Sequence, residues 1–218
     1  MLNALSDRGW DALGTELSEE SSTFAREELG LEVKTGPFEV RTFDAKSFDV
    51  VVLWHVFEHM SAPALVLKKI HGILKEDGLL IISVPNFGSL QSKLSRDKWF
   101  HLDLPRHLYH FTPSTLEFIL KENGFRIIRR KHTSLEYSYF GMIQSLFNVL
   151  GIRVNYLYDL IRRRDARLGG DEGFLSWSFV LTVLFAPFIF PLAVVLTFFV
   201  DVSSLGGNIE VHAVRSDF

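Results

Sequence analysis

Two short blocks hold most of the side chains suited to chemistry. In the first, Trp54-His55-Val56-Phe57-Glu58-His59, an imidazole stands beside a carboxylate. Histidine changes charge near neutral pH, so the pair can organise a pocket or poise a base. The second, Pro105-Arg106-His107-Leu108-Tyr109-His110, sets two imidazoles next to a guanidinium. His107 or His110 could take a proton from an attacking hydroxyl, while Arg106 could hold an anionic group through its planar donor fork. The same run also reads as a cap over the core with satisfied histidines. His55 and His59 are one helical turn apart but supply only two imidazoles, so no metal is expected. The chain has no cysteine, which excludes disulfides, thiolate nucleophiles, Cys-ligated zinc and iron–sulfur centres.

An α/β scaffold must position these blocks. The 218 residues suffice for one substantial core, or for a medium catalytic domain with an added module. Leu2 and Leu5 lie on one side of a first helix that stops at Arg8-Gly9. A strand follows over 10–17, then a helix over 18–29 opened by Ser18 ahead of Glu19 and Glu20, then a short strand over 31–34. Residues 48–54 (FDVVVLW) are a strand whose valine run predicts burial on both faces. The first block begins where this strand ends.

A helix over 62–74 stops at Lys75-Glu76-Asp77-Gly78, and a strand over 79–84 closes at Pro85-Asn86. The next helix, 112–122, has Thr112 as its cap and Pro113 first, but Thr115 lacks the carboxylate that would complete a capping box. Gly124 stops it, and a strand runs over 125–130. Two helical pieces around Gly151 fill 136–164 and end in Arg162-Arg163-Arg164-Asp165; the last strand, 209–214, is entered through Leu205-Gly206-Gly207-Asn208. Strand and helix in alternation predict a mainly parallel α/β sheet.

The 23 Lys and Arg against 26 Asp and Glu leave a formal charge of -3, so no nucleic-acid partner is expected. The N-terminal residues lack the basic flank and apolar run of a signal peptide, which predicts a cytoplasmic location. Residues 174–200 carry no charge and reach the length of a membrane span. Pro187 and Pro191 weaken one straight span, so a bent or re-entrant pair at the cytoplasmic membrane face is expected, with a helical cover on the domain as the alternative. Arg162, Arg163, Arg164 and Arg167 favour anionic headgroups, and Trp177 suits an interface. Because strand 209–214 returns to the sheet, both ends of the insertion are expected on one side of the membrane.

FDVVVLWHVFEHM (48–60), LKKIHGILKEDGLLIISVPN (67–86) and DLPRHLYHFTPSTLEFILKENGF (103–125) together resemble class I S-adenosylmethionine-dependent methyltransferases. The resemblance is to the small-molecule group related to ubiquinone-biosynthesis O-methyltransferases. It implies a Rossmann-like α/β sheet with a core over 1–135, an apolar helical insertion over 136–205 and the final strand within 206–218. The cofactor implied is S-adenosylmethionine. Glu16, followed by Leu17, would accept hydrogen bonds from the ribose hydroxyls, since a strand-end carboxylate suits a vicinal diol. Phe38 would line the adenine side or serve as a core aromatic. Leu53, Trp54 and His55 would pass beneath the methionine part, with His59 in the following turn.

The departure from this family is at the beginning. A member has a first, central strand followed by a glycine-rich turn, and no such turn precedes Gly9. The chain reads as starting inside the helix after it, as expected of a truncated, mis-started or degenerate and inactive copy. The activity implied is methyl transfer to an oxygen, or a nitrogen, of a small or lipid-like acceptor. The alternatives are a nicotinamide-dependent oxidoreductase and a catalytically inactive membrane-associated interaction protein.

Overall fold

Alternating apolar runs and capped helices fold in the order they are written. The computed structural model describes residues 1–132, 134–163, 176–202 and 205–216. The elements are α1 (Leu2–Ser6), β1 (Leu13–Glu16), α2 (Glu19–Glu27), β2 (Glu32–Thr35), β3 (Phe48–Trp54), α3 (Pro63–Ile73) and β4 (Leu74–Pro85). They continue with α4 (Leu90–Ser95), α5 (Pro113–Glu122), β5 (Phe125–Lys131), α6 (Leu135–Val149), α7 (Tyr156–Arg163), α8 (Trp177–Val202) and β6 (Asn208–Arg215). Ser18 opens α2 as expected, accepting the Ser21 N–H at 3.2 Å, with Glu19 and Glu20 at the positive end of the helix dipole. Arg164, Asp165 and Arg167 of the basic flank, Phe174 and Leu175 of the uncharged run, and Asp217 and Phe218 after the last strand lie outside the described residues.

The strands form two sheets, β1-β2 and β3-β4-β6-β5. The pairs β1/β2 and β3/β4 are parallel, and β6 is antiparallel to both β4 and β5. Among the described residues no strand pairs with the second edge of β1 or of β3, the two edges that a central first strand would join. The valine run feels this directly. Val50, Val51 and Val52 are only half-buried, not covered on both faces, because β3 is an edge strand with a neighbour on one side.

Three other expectations give way. The helix α3 ends at Ile73, close to the expected bound, but the strand after it does not wait for residue 79: Leu74 already pairs with Phe48, so β4 starts there, with a register shift between Phe48 and Val50. The capping box of α5 is complete without a carboxylate. Thr115 Oγ1 accepts the Thr112 N–H at 2.8 Å while the Thr115 N–H donates to Thr112 Oγ1 at 3.2 Å, a hydroxyl oxygen doing the acceptor's part. The uncharged run is one continuous helix, α8, through Pro187 and Pro191 rather than a re-entrant pair. Both prolines are exposed, so the ladder bonds they remove lie on the outer side, while Ile189 and Ala193 pack inward against α6.

Two apolar clusters hold the chain together. The larger lies between the four-stranded sheet and its helices, with Val66, Leu67 and Ile70 of α3 and Leu116 and Leu120 of α5 against Leu80 and Ile82. The i, i+4 spacing within each helix puts those residues on one face. The second cluster joins α6, the following loop and α8 through Met142, Phe147, Ile152, Tyr156 and Ile189.

Candidate functional site

The two blocks meet beyond the carboxyl end of β3, the end at which open α/β sheets bind ligands. After Trp54 the chain turns at His55, whose φ is 51° and whose N–H is held by the Ser83 carbonyl at 2.8 Å. A 3₁₀ turn follows over Phe57–His59. The Glu58 carbonyl then accepts the N–H groups of Leu108 at 2.9 Å and Tyr109 at 3.2 Å, fastening the second block to the first. Phe57 stacks on Phe111 with ring centres 5.2 Å apart, which anchors the junction in the core.

Glu58 is the centre of the arrangement. It is 1% exposed, and neither carboxylate oxygen has a hydrogen-bond partner among the described residues. Its Oε1 lies 3.6 Å from His55 Nδ1 and 3.9 Å from His107 Nε2, both too long for a hydrogen bond. His107 Nδ1 donates to the His101 carbonyl at 2.7 Å, and His59 Nδ1 donates to the Arg106 carbonyl at 2.9 Å. A carbonyl only accepts, so each ring in its neutral form keeps its proton on Nδ1 and leaves Nε2 a lone pair. Asp103 Oδ2 stands 3.9 Å from His107 Nε2, and its Oδ1 accepts from Arg106 Nη2 at 2.6 Å.

Burial sets the protonation of the inner rings. It pushes the His101 imidazole down to about 4, against the raising effect of the Tyr137 carbonyl 3.2 Å from Nε2. It also holds His107 below its usual value, with the His101 carbonyl and Glu58 pulling the other way. Both rings are neutral at pH 7. A cavity of about 820 Å³ opens on this group. Glu58, His59 and His107 line one wall, and Tyr137 and Phe140 of α6 with Tyr158 and Arg162 of α7 line another.

A family model described as a methyltransferase domain matches residues 1–130. The chain belongs to this methyltransferase-domain family. Its cofactor is S-adenosylmethionine, and the match sets aside the oxidoreductase alternative. No curated protein matches the chain. Among solved structures, an S-adenosylmethionine-dependent methyltransferase from Archaeoglobus fulgidus is 20% identical, over 98% of this chain and 80% of its own, with a TM-score of 0.57. Phosphoethanolamine N-methyltransferase 2 of Haemonchus contortus, solved with phosphomonomethylethanolamine and S-adenosylhomocysteine, is 13% identical over 99% of this chain and 46% of its own, at 0.56. The [4+2]-cyclase SpnF is 15% identical over 99% and 70%, at 0.55. At these identities the likeness is one of fold.

Within the methyltransferase domain, His55, His59, Arg106 and His107 all line the cavity. His110 is not among its lining residues: its Nε2 donates to the Leu102 carbonyl at 3.0 Å and its ring packs on Phe87. Leu53 is buried in the core, and Trp54 is half-exposed at the strand end. Glu16 ends β1, its Oε1 accepting the Ser18 N–H at 2.9 Å, and Leu17 is exposed. Phe38 stacks on Phe43 with the Lys69 ammonium 5.0 Å from its ring centre. None of Glu16, Leu17 and Phe38 is among the cavity's lining residues.

Sequence reasoning missed Asp103, His101 and Tyr137. It also weighed His55 with His59 as metal ligands, whereas the fold gathers ligand atoms of Glu58, His59 and His107 within 4.8 Å of one another. No local spacing signals that group, since it depends on the backbone bonds from Leu108 and Tyr109 to Glu58.

Proposed function

We propose that this methyltransferase domain moves the sulfonium methyl group of S-adenosylmethionine to an oxygen, or a nitrogen, of a small acceptor with a lipid-like body. The observation that carries the reading is the cavity itself. One wall holds the polar Glu58 and His107 group, and another is built by α6 and α7, the helices joined to the apolar α8. When bound, the cofactor supplies an electrophilic methyl group on a positively charged sulfur, so positioning is the protein's main task. Glu16 fits the ribose diol, with Leu17 beside it and Phe38 on the adenine side. Trp54 and His55, at the end of β3, suit the methionine part. His107 Nε2 is suited to accept the proton of an acceptor hydroxyl, with His110 as the second candidate. Arg106 has part of its fork on Asp103 and the rest free to meet an anionic group.

The lipid-like body is supported by α8. The most apolar 18-residue window of Trp177–Val200 has a mean hydropathy of 2.6, and only 17% of that window is buried. A stripe through Thr182, Ile189, Ala193 and Thr197 faces inward; Leu184, Phe188, Val195, Phe198 and Phe199 are exposed. A soluble core helix would bury most of such a surface. Phe147 of α6 meets Phe190 at 6.4 Å and Tyr156 Oη at the start of α7 meets Ser176 Oγ at 3.1 Å, so α8 packs beside both helices before the chain rejoins the sheet at β6. An in-plane seat at the cytoplasmic membrane face satisfies both ends, with exposed Arg162 at anionic headgroups.

The test is methyl transfer from tritiated S-adenosylmethionine to chloroform-soluble and water-soluble acceptor fractions. Label in the chloroform phase, lost in His107→Ala with cofactor affinity retained, is expected. Label confined to the aqueous phase would overturn the lipid-like acceptor, and unchanged turnover in the variant would remove His107 as the base.

A further inference from the structure

We propose that Glu58, His59 and His107 bind one divalent first-row cation, zinc by ligand chemistry, at the inner wall of the cavity. Their ligand atoms lie within 4.8 Å of one another. Two imidazole nitrogens and one carboxylate oxygen are the donor set of open zinc sites, which keep a position for a further ligand.

Orientation adds a second, separate observation. His59 donates its Nδ1 proton to the Arg106 carbonyl at 2.9 Å, and His107 donates its own to the His101 carbonyl at 2.7 Å. An outer hydrogen bond to a backbone carbonyl is how metal-binding histidines are held, with the opposite nitrogen aimed at the ion.

Glu58 supplies the third. A carboxylate 1% exposed, with neither oxygen hydrogen-bonded among the described residues, is costly to bury unless positive charge stands against it. Ligands on a tetrahedral ion stand about 3.4 Å apart. Glu58 Oε1 and His107 Nε2 are 3.9 Å apart and all the ligand atoms lie within 4.8 Å, so the side chains close on the ion, with the exposed His59 pivoting about its bond to the Arg106 carbonyl. Asp103 Oδ2, 3.9 Å from His107 Nε2, is a nearby oxygen for the outer shell.

The cation's remaining position faces the cavity and takes an oxygen of the acceptor, so the acceptor carries a hydroxyl. That assignment rests on the methyl-transfer reading; cation binding does not. With the cation bound, His107 Nε2 holds the ion in place of taking the proton itself: the hydroxyl proton passes to solvent, an oxygen lone pair forms the bond to the methyl carbon, and the carbon–sulfur pair stays on sulfur as S-adenosylhomocysteine leaves.

The experiment titrates ZnCl₂ into the full, chelator-treated chain by calorimetry, with Co²⁺ absorption in parallel and S-adenosylmethionine titrated separately. One zinc per chain is expected, bound at least tenfold more weakly by His59→Asn and by Glu58→Gln. His59→Asn alters an exposed side chain and decides the matter if Glu58→Gln fails to fold. No saturable zinc binding by the wild type, or wild-type affinity in His59→Asn, overturns the site. Cofactor binding without zinc binding removes the site and leaves the methyl-transfer reading standing; zinc binding without cofactor binding does the reverse.

Discussion

Gly141 lies where α6 touches the floor of the cavity, and a Cβ there would stand 2.4 Å from His101 Nε2 and 3.1 Å from Gln91 Oε1. Neither neighbour can yield cheaply. The His101 ring is buried against Trp99 and Phe100, and Gln91 is held by Trp99 Nε1 at 2.9 Å and by the Ser138 carbonyl at 3.0 Å. Alanine gains about 1 kcal/mol in helix propensity over glycine, against about 1–3 kcal/mol for overpacking a fixed core. Gly141→Ala is therefore expected to be net destabilising by about 1 kcal/mol, read from its urea midpoint. Glu210 tests charge in the same way. Burial alone would raise its carboxyl pKa, but Lys131 at 2.9 Å and His212 at 2.8 Å outweigh it and hold it below the ordinary 4.5. A depressed folded-state pKa contributes stability above the unfolded value that is lost as pH falls through the folded one. The free energy of unfolding should thus drop with acidification below about pH 4.5, and Glu210→Gln should flatten that drop; equal slopes would deny the pairing. At this scale His55, His59, Arg106 and His107 were legible because they sit in compact blocks. His101, Asp103 and Tyr137 were not, because only tertiary packing makes them neighbours.

Helix ends and apolar stripes decide the elements. Thr112 and Thr115 satisfy each other's backbone donors at the start of α5. Thr112→Ala should cost about 1 kcal/mol of stability, Thr115→Ala less, and Thr115→Glu should keep the box by supplying its usual acceptor. Equal stability of Thr112→Ala and the wild type, measured by thermal unfolding, would deny the cap its role. The helix α8 makes the contrasting case. Its length and lack of charge were plain in the sequence, but its continuity through Pro187 and Pro191 was not, because that depends on Ile189 and Ala193 finding α6. If its outward face meets a bilayer, removing Phe188 and Phe198 takes away about 1.5–3 kcal/mol of burial each. The double change Phe188→Ser with Phe198→Ser should then lower association with phosphatidylglycerol-containing vesicles at least tenfold while S-adenosylmethionine affinity stays the same. Undiminished sedimentation with the vesicles would take α8 off the membrane.

The whole molecule is legible as α/β from its alternation, and the expectation of a chain without a central first strand already contains the division into β1-β2 and β3-β4-β6-β5 among the described residues. The division has dynamic consequences. Leu80 and Ile82 of β4 face Ile209, Val211 and Ala213 of β6 in the core, all almost fully buried. The β1-β2 pair has only short parallel strands, secured by α2 through Ser22 Oγ to Thr35 Oγ1 at 2.7 Å and Arg26 Nη1 to Thr35 Oγ1 at 2.8 Å. A lone two-stranded pair is marginal in water, so local opening should expose it long before the four-stranded sheet unfolds. Native-state hydrogen exchange should find the β1-β2 amides far less protected than those of β4 and β6. The cofactor makes the test sharper. Glu16 ends β1 while Trp54 and His55 end and follow β3, so a ligand held by both ends ties the two sheets together. Such a ligand lowers the population of the opened form by mass action. Saturating S-adenosylmethionine should slow exchange in β1-β2 by a larger factor than in β4-β6. If it slows neither, or slows only the four-stranded sheet, Glu16 does not hold the ribose and the cofactor rests on β3 alone.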